Sequence, residues 1–340
     1  MATGFPYEIR DVDPETNRQL LRDFTGERTG FLKVGPQEWL LASKYRRLAA
    51  EVYNFKVRPD DVWVVTFPRS GTTMTQELVW LVANDLDYKT ASKVDLLQRF
   101  PFIEFSIVNH DDFIAELKAE NAGSPGAQAT LDSLAASQVD VLDQAASPRF
   151  IKTHLPLSLL PPDLLSAGCK VVYVARNPMD AAVSFYYQNR LLRNMGYVGD
   201  FPKYWDYFQK GLVPWCPYWP HIIEAWNQRN NPNLLFMFYE HVVKDMPGTI
   251  RKVAMFLGKQ MTDAQVHKLA DHMHIDNFRN NPSVNMDVLD KLGIISKNEQ
   301  SFIRKGKPGG WASEFTPEMK ESCDKWIEEN LSNTDLRFPW

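Results

Sequence analysis

The segment DVWVVTFPRSGTTMTQELVW, residues 61–80, places an apolar run, a turn with one glycine and a helical pattern in direct succession. Residues 63–67 are almost continuously apolar or β-branched, which is typical of a strand buried on both faces of a parallel sheet. From Thr72 onward, apolar residues recur at helical spacing, at Met74, Leu78, Leu81 and Val82. The segment therefore predicts a strand, a short loop and a helix.

The loop PRSGTT, residues 68–73, has the composition of an anion-binding turn. Unpaired backbone N–H groups and the positive end of the helix dipole converge at a helix N-terminus, and Gly71 lets an oxyanion come close. Further donors come from the side chains of Arg69, Ser70, Thr72 and Thr73. The alternative is an ordinary strand-to-helix turn with a hydroxyl cap.

The loop differs from the G-x-x-x-x-G-K-[ST] pattern of nucleotide triphosphatases. With Gly71 as the second glycine, Thr66 stands at the first glycine position and Thr72 at the lysine position. Arg69 supplies the positive charge instead. We therefore do not expect the loop to hold an ATP tail with magnesium.

Length and composition favour one large globular α/β domain, although two domains fit the length alone. The chain has 340 residues, of which 44% are apolar and 24% charged, and its formal net charge is −4. That charge does not favour a nucleic-acid partner. The three cysteines are widely spaced and form no C-x-x-C, so we expect reduced thiols, no structural zinc and a cytoplasmic location. The sequence shows no targeting segment or membrane span.

Further strand-to-helix units follow along the chain. Residues 150–152 predict a short strand, residues 170–175 a second buried strand before a helix, and residues 233–239 a third before a helix at 249–257. Residues 39–53 also predict a helix. The alternation of strands and helices predicts a parallel, doubly wound central sheet with a P-loop-like strand–loop–helix unit.

Polar side chains stand at the predicted carboxyl ends of these strands. Lys152 and His154 alternate by two, so both would project from one face of a strand. Arg176 follows the second strand and Ser184 lies on the helix after it, a pair that suits a second phosphate. The alternatives are a structural histidine and a strand-end salt bridge.

The segment after residue 100 suggests an apolar pocket and a cover. Phe102 and Phe105 belong either to the core or to a pocket for an apolar ligand. Residues 106–149 are long and turn-rich, and they predict a short helix with a mobile tip. We expect this insertion to be either a lid or a mobile surface segment.

Five motifs in order resemble the cytosolic sulfotransferases that use 3′-phosphoadenylyl sulfate. They are PRSGTT at 68–73, KTHLP at 152–156, ARNPMDAAVSFYY at 175–187, FYE at 238–240 and RKGKPGGW at 304–311. The likeness covers most of the chain. The length of the insertion resembles that in insect members such as retinol dehydratase, in which sulfonation of an alcohol is followed by loss of the sulfate.

The resemblance implies a role for each matching residue. The 5′-phosphosulfate end of the donor would be held by Arg69, Ser70, Gly71, Thr72, Thr73 and Met74. Its 3′-phosphate would be held by Arg176, Ser184, Arg304, Lys305 and Gly306. The adenine would contact Tyr239 and the segment from Met273 to Phe278. His154 would be the catalytic base, with Lys152 and Arg69 as catalytic cations.

Several positions depart from the family pattern. Arg69 replaces a lysine, which keeps the charge but puts proton donation to the leaving group in doubt. Met74 stands where an adenine-stacking tryptophan is usual, and Met179 replaces a common lysine. Changes at Gly310, Ala312 and Pro317 erode the segment through which many relatives dimerise, so both a monomer and a homodimer fit the sequence.

The expected activity is sulfuryl transfer from 3′-phosphoadenylyl sulfate to the hydroxyl of a small apolar acceptor such as a phenol, a sterol or a retinoid-like alcohol. The product nucleotide would be 3′,5′-adenosine bisphosphate (PAP), and no metal would be required. Phe102 and Phe105 would contact the acceptor. Two alternatives remain at this stage: a small-molecule or nucleotide kinase, and a non-catalytic protein that binds a nucleotide or a lipophile. We expect neither a nucleic-acid nor a membrane partner.

Overall fold

Two sheets and a set of helices make up the computed structural model, which describes residues 4–297, 299, 302–303 and 308–339. Its strands are β1 (Ile9–Asp11), β2 (Phe31–Val34), β3 (Trp39–Ala42), β4 (Val62–Thr66), β5 (Phe150–Thr153), β6 (Lys170–Ala175) and β7 (Leu234–Phe238). Its α-helices are α1 (Pro14–Asp23), α2 (Tyr45–Tyr53), α3 (Thr72–Ala83), α4 (Tyr88–Ala91), α5 (Leu96–Arg99), α6 (Asp111–Glu120), α7 (Pro125–Ala135), α8 (Gln138–Gln144), α9 (Pro178–Leu191), α10 (Phe201–Gln209), α11 (Tyr218–Asn227), α12 (Tyr239–Lys244), α13 (Met246–Phe256), α14 (Asp263–His272), α15 (Ile275–Arg279), α16 (Asp287–Lys291) and α17 (Pro317–Leu331). Short 3-10 helices span Phe105–Val108, Leu157–Leu159 and Gly310–Ser313.

The central sheet is parallel, with the strand order β5-β4-β6-β7. All five residues of β4 are buried, as its continuous apolar run predicted. In the register of the sheet, Val64 pairs with Lys152 on one side and with Val172 on the other. The carboxyl ends of the four strands therefore lie at the same edge of the sheet, where the loops after them meet.

Helices cover both faces of this sheet. Along β4, Trp63 and Val65 pack into one apolar cluster, which also contains Val183 of α9. Val62 and Val64 pack into a second cluster, which contains apolar residues of α3 and α13. Because alternate residues of one strand enter different clusters, each face has its own core, and the predicted doubly wound arrangement is confirmed.

The amino-terminal region contains a sheet that the sequence did not predict. Strands β1, β2 and β3 pair antiparallel, and Leu40 of β3 pairs with Lys33 of β2. The backbone of Leu40 also accepts from Trp215 N–H at 2.8 Å and donates to the carbonyl of Cys216 at 2.9 Å. The predicted helix over 39–53 is therefore wrong for its first residues, because sheet pairing prevails over the local helical pattern, and α2 begins only at Tyr45.

The insertion at 106–149 is more helical than expected, because it contains α6, α7 and α8. At the turn before α7, the Ser124 hydroxyl accepts the Ala127 N–H at 3.3 Å and Pro125 occupies the first turn of the helix. Apolar residues of α6 and α7 join α16 in a small cluster, which includes Phe113, Leu117, Leu131, Leu134 and Leu289. The prediction that this segment includes a short helix was incomplete, because this cluster stabilises further helices that the local composition did not indicate.

Ion pairs connect α6 to distant parts of the chain. Arg28 forms two hydrogen bonds with the Glu116 carboxylate, and Lys44 Nζ lies 2.6 Å from Asp111 Oδ1. Arg193 pairs with Glu120 at 2.9 Å. These contacts fix one side of the insertion to the body of the protein, and its role as a lid stays a prediction.

Within the described residues, no helix has both the length and the apolar character needed to cross a bilayer. The same part of the chain contains no group of three or more His, Cys, Asp or Glu side chains arranged to hold a metal ion. Cys169, Cys216 and Cys323 are all buried free thiols.

Candidate active site

The loop after β4 has an unusual backbone geometry. Gly71 caps α3 with a φ of 94°, and a Cβ atom at this position would lie 2.6 Å from Cδ2 of Tyr239. A larger residue is therefore excluded both by conformation and by contact. Arg69 also has a positive φ, of 67°. A non-glycine residue in this region is strained, and such strain concentrates at functional sites.

A cavity of about 710 Å³ opens beside this loop. Most of the residues predicted to contact a nucleotide line it, namely Arg69, Gly71, Thr72, Thr73, Met74, Arg176, Ser184, Tyr239, Met273 and Phe278. Ser70 is fully buried, and its hydroxyl has no hydrogen-bond partner among the described atoms. Arg304, Lys305 and Gly306, the remaining predicted contacts, lie outside the described residues.

Two arginines contact each other in this cavity, side chain to backbone. Arg176 donates from Nη1 to the carbonyl of Arg69 at 2.9 Å and stacks on Tyr239, with its Cζ 4.4 Å from the ring centroid. Arg69 donates from Nε to Ser184 Oγ at 3.0 Å. The resemblance assigned Arg69 and Ser184 to opposite ends of the donor, whereas the structure brings the two side chains into contact. The two predicted anion sites are therefore continuous.

Asp180 ties the segment after residue 307 to α9. Its carboxylate accepts the Gly309 N–H at 2.7 Å and the Trp311 N–H at 3.2 Å. Asp180 is buried in the first turn of α9, the helix that also carries Ser184. Sequence reasoning missed this residue, because its partners lie about 130 residues away in the chain and no local pattern links them.

His154 follows β5 and is buried, with 7% of its surface exposed. Its Nδ1 lies 2.8 Å from the carbonyl oxygen of Thr66. A carbonyl can only accept, so the hydrogen of the neutral ring is on Nδ1, and Nε2 carries the lone pair. Burial, together with the positive charge of Lys152, holds the pKa of His154 well below its ordinary value. The imidazole is therefore neutral, with the lone pair on Nε2.

The backbone of His154 is held on both sides by buried side chains. Its N–H donates to Glu104 Oε1 at 2.6 Å, and its carbonyl accepts from Nε2 of His221 at 2.9 Å. The Tyr173 hydroxyl contacts Nδ1 of His221 at 2.7 Å. Burial lowers the pKa of His221 to about 4, so this ring is also neutral. The sequence reasoning missed both supports, although a single acidic residue in the apolar run PFIEF was an available signal.

Lys152 and Glu104 are two further titratable groups next to His154. Burial lowers the pKa of Lys152 to about 8, although the Glu104 carboxyl opposes that effect. Burial raises the pKa of Glu104 to about 7, and the His154 N–H opposes that change. The Lys152 ammonium lies 4.1 Å from the centroid of Phe102. Both groups therefore change charge near neutral pH.

A second, smaller cavity of about 60 Å³ adjoins the first. Its apolar lining comes from the core, the insertion and α16, and includes Phe102, Phe105, Val108, Trp215, Met286 and Leu289. Lys152, His154 and Gln188 line both cavities. His154 therefore lies where the cavity beside the loop after β4, which is lined by Arg69 and Arg176, meets this apolar cavity.

Comparison with known proteins identifies relatives over nearly the whole chain. The luciferin sulfotransferase of Photinus pyralis is 32% identical over 328 residues, which cover 94% of this chain and 84% of the relative. Two crystal structures of retinol dehydratase are each 38% identical to this chain. One, with androsterone and the inactive cofactor PAP, has a TM-score of 0.92 and covers 99% of both chains. The other, with retinol and PAP, has a TM-score of 0.91 and covers 99% of this chain and all of its own.

The family model for the sulfotransferase domain matches residues 59–335. That match includes the loop after β4, His154 and α9, and it confirms the prediction made from the five motifs. The two alternatives, a kinase and a non-catalytic binding protein, are therefore wrong. The chain belongs to the sulfotransferase family and is a sulfotransferase enzyme.

Proposed function

We propose that this enzyme transfers the sulfuryl group of 3′-phosphoadenylyl sulfate to the hydroxyl of a small apolar alcohol, with His154 as the general base. The observation that carries the proposal is the position of His154. Its Nδ1–H is fixed on the Thr66 carbonyl, and its ring lies at the junction of the cationic and the apolar cavity. A base at that point can reach a hydroxyl in one cavity while the donor occupies the other.

The cationic cavity suits the donor. The N-terminus of α3 and the open backbone at Gly71 favour a phosphosulfate group, and Arg176 and Ser184 offer charge and a hydroxyl for a second phosphate. Tyr239, Met273 and Phe278 provide apolar surface for the adenine. The retinol dehydratase structures contain PAP, which is the product of this donor.

The chemistry follows from these positions. The acceptor oxygen attacks sulfur while its proton passes to Nε2 of His154, and the bond between sulfur and the 5′-phosphate oxygen breaks. Negative charge then accumulates on the leaving phosphate and on the sulfuryl oxygens. Lys152 and Arg69 line the cavity and stabilise that charge, as fixed cations do in other group transfers.

The second cavity suits a small apolar acceptor. Phe102 and Phe105 line it together with apolar residues of α16. The structural relatives hold retinol or androsterone, and the Photinus pyralis relative is named for luciferin. We therefore assign this enzyme an apolar alcohol as its acceptor.

The test is sulfuryl transfer from labelled donor to a panel of phenols, sterols and retinoids. His154→Ala should lower kcat by about 10² or more, since it removes the base. His267→Ala changes an exposed histidine of α14 and is the matched control. Chelation with EDTA should leave the rate unchanged, whereas a magnesium-dependent transfer would stop. Unchanged turnover in His154→Ala would contradict the assigned base.

A second candidate function is dehydration of the acceptor through its sulfate ester. It is favoured by 38% identity to retinol dehydratase across 99% of both chains. The ester would lose sulfate as a base removes a neighbouring proton, which gives an alkene. Mass analysis of the products from an allylic alcohol distinguishes the two outcomes: a stable sulfate ester contradicts dehydration, and an alkene with free sulfate supports it.

A further inference from the structure

Two amide side chains interrupt the apolar lining of the acceptor cavity. Asn189 of α9 is fully buried, and Asn194, which follows that helix, is 5% exposed. The Oδ1 atoms of both have no hydrogen-bond partner among the described atoms. Buried polar atoms nearly always have a partner, so each of these oxygens requires an explanation.

A chain of hydrogen bonds determines which way the Asn194 amide faces. Asn109 donates from Nδ2 to the carbonyl of Phe105 at 3.1 Å, and a carbonyl can only accept. The oxygen of the Asn109 amide must therefore be the atom that meets Asn194, at 3.0 Å from its Nδ2. This chain of hydrogen bonds fixes the orientation of the Asn194 amide, which is often ambiguous, and leaves its Oδ1 as the acceptor without a partner among the described residues. The amide nitrogen of Asn189 donates to the Tyr204 hydroxyl at 2.5 Å.

We propose that the acceptor alcohol carries, besides the hydroxyl that is sulfonated, a second O–H or N–H group that donates a hydrogen bond to Asn194 Oδ1. The proposal rests on the function proposed above, because the same cavity binds the acceptor. His154 lines this cavity too, so one ligand can present its reacting hydroxyl to the base and a donor to the amide. A site with a buried acceptor discriminates against an analogue that cannot donate to it.

The competing partner for this oxygen is an internal water. Asn194 also borders a separate cavity of about 20 Å³, which has room for about one water molecule. If such a water pairs with Oδ1, a second donor on the ligand brings no advantage. The two explanations therefore predict different acceptor preferences.

The experiment compares three matched acceptors at a series of chain lengths: a 1-alkanol, the α,ω-diol and the ω-methoxy alcohol. The ether accepts but cannot donate, so it separates hydrogen-bond donation from general polarity. At the best length, the diol should exceed both others in kcat/KM by about tenfold or more, after correction for its two equivalent hydroxyls. A smaller preference, or an equal gain for the ether, would overturn the proposal.

The preference must also depend on Asn194. Asn194→Leu has nearly the same shape without the amide, and it should lower the ratio of kcat/KM for the diol to kcat/KM for the 1-alkanol to about one, whatever its effect on either value alone. Asn194→Ala removes the same oxygen and replaces the first variant if that one does not fold. Met195→Leu is the apolar control and should keep the preference. Met195 is the next residue in the chain, and it lines the acceptor cavity and the separate small cavity. A preference that survives loss of the amide refutes the assignment, whereas absence of transfer to every acceptor refutes the proposed function instead.

Discussion

Glu104 should make the stability of the enzyme depend on pH, and replacing it by Gln should remove that dependence. The carboxyl is fully buried, and burial raises its pKa from 4.5 to about 7. Its proton is therefore held more tightly in the folded chain. The stabilisation is fully present below about pH 4.5 and is lost as the pH rises through about 7. At about 1.36 kcal/mol per pKa unit, the loss amounts to about 3 kcal/mol.

The assay is urea unfolding of the wild type and of Glu104→Gln at about pH 5 and about pH 8. The Gln side chain keeps an oxygen that can accept the His154 N–H, so the local structure is preserved. Between the two pH values, the free energy of unfolding of the variant should rise relative to the wild type by about 2.5 kcal/mol, because part of the loss has already occurred at about pH 5. Lys152 acts in the same direction, because its pKa falls further without the carboxylate and the unfolded chain then binds more protons.

Contributions from all other titratable groups cancel when the two proteins are compared at each pH. Glu328→Gln, which changes an exposed carboxyl of α17, is the control and should follow the wild type. An equal pH dependence in the wild type and in Glu104→Gln would refute the reasoning, since it would mean that the buried carboxyl titrates as it does in the unfolded chain.

Three further outcomes are expected. Turnover at saturating substrates should fall as the pH rises through about 8, where Lys152 loses its charge. This alkaline limb should move to lower pH in Glu104→Gln. A limb that does not move would contradict its assignment to Lys152. Asp180→Asn weakens two charge-assisted backbone hydrogen bonds, so the affinity for PAP measured by calorimetry should fall by about tenfold or more. The control, Asp324→Asn, should bind PAP as the wild type does. If the insertion is a lid, proteolysis at residues 123–126 should slow when PAP and a long acceptor are both bound, and equal cleavage rates would contradict the lid.

The central sheet could be predicted from the sequence because each of its strands is a short run with its own signal. The strand Lys170–Ala175 has the predicted bounds, since every residue after Lys170 is buried and needs an apolar side chain. The strand Trp39–Ala42 pairs with β2 across the short turn at 35–38, and it was missed because its residues also fit the helical pattern that continues to Tyr53. The insertion was missed for a different reason: its helices α6 and α7 pack with α16, which lies far along the chain.

The residues of the candidate site also fall into two groups, those that the sequence predicted and those that it did not. Residues in the loop after β4 and at the ends of β5 and β6 could be found, because a parallel sheet brings the carboxyl ends of its strands together. Glu104 and His221 were missed because they hold His154 from positions 50 and 67 residues away, and the only local signal was the single acidic residue in the apolar run at 101–105. Their effect is to place an imidazole and to tune its surroundings, and neither effect leaves a spacing pattern in the sequence.

In the proposed mechanism, Arg69 is one of the two cations that stabilise the leaving phosphate. Its guanidinium donates to Ser184 Oγ and to the carbonyl of Phe302 at 2.9 Å, so its charge is held in one place. A guanidinium does not release its proton in proteins, whereas the pKa of Lys152 lies at about 8. Between these two cations, a proton for the leaving oxygen can come only from Lys152. The alkaline limb of turnover therefore reports on the Lys152 proton. Lys152→Arg keeps the charge but releases no proton, so it should remove that limb and lower turnover at every pH.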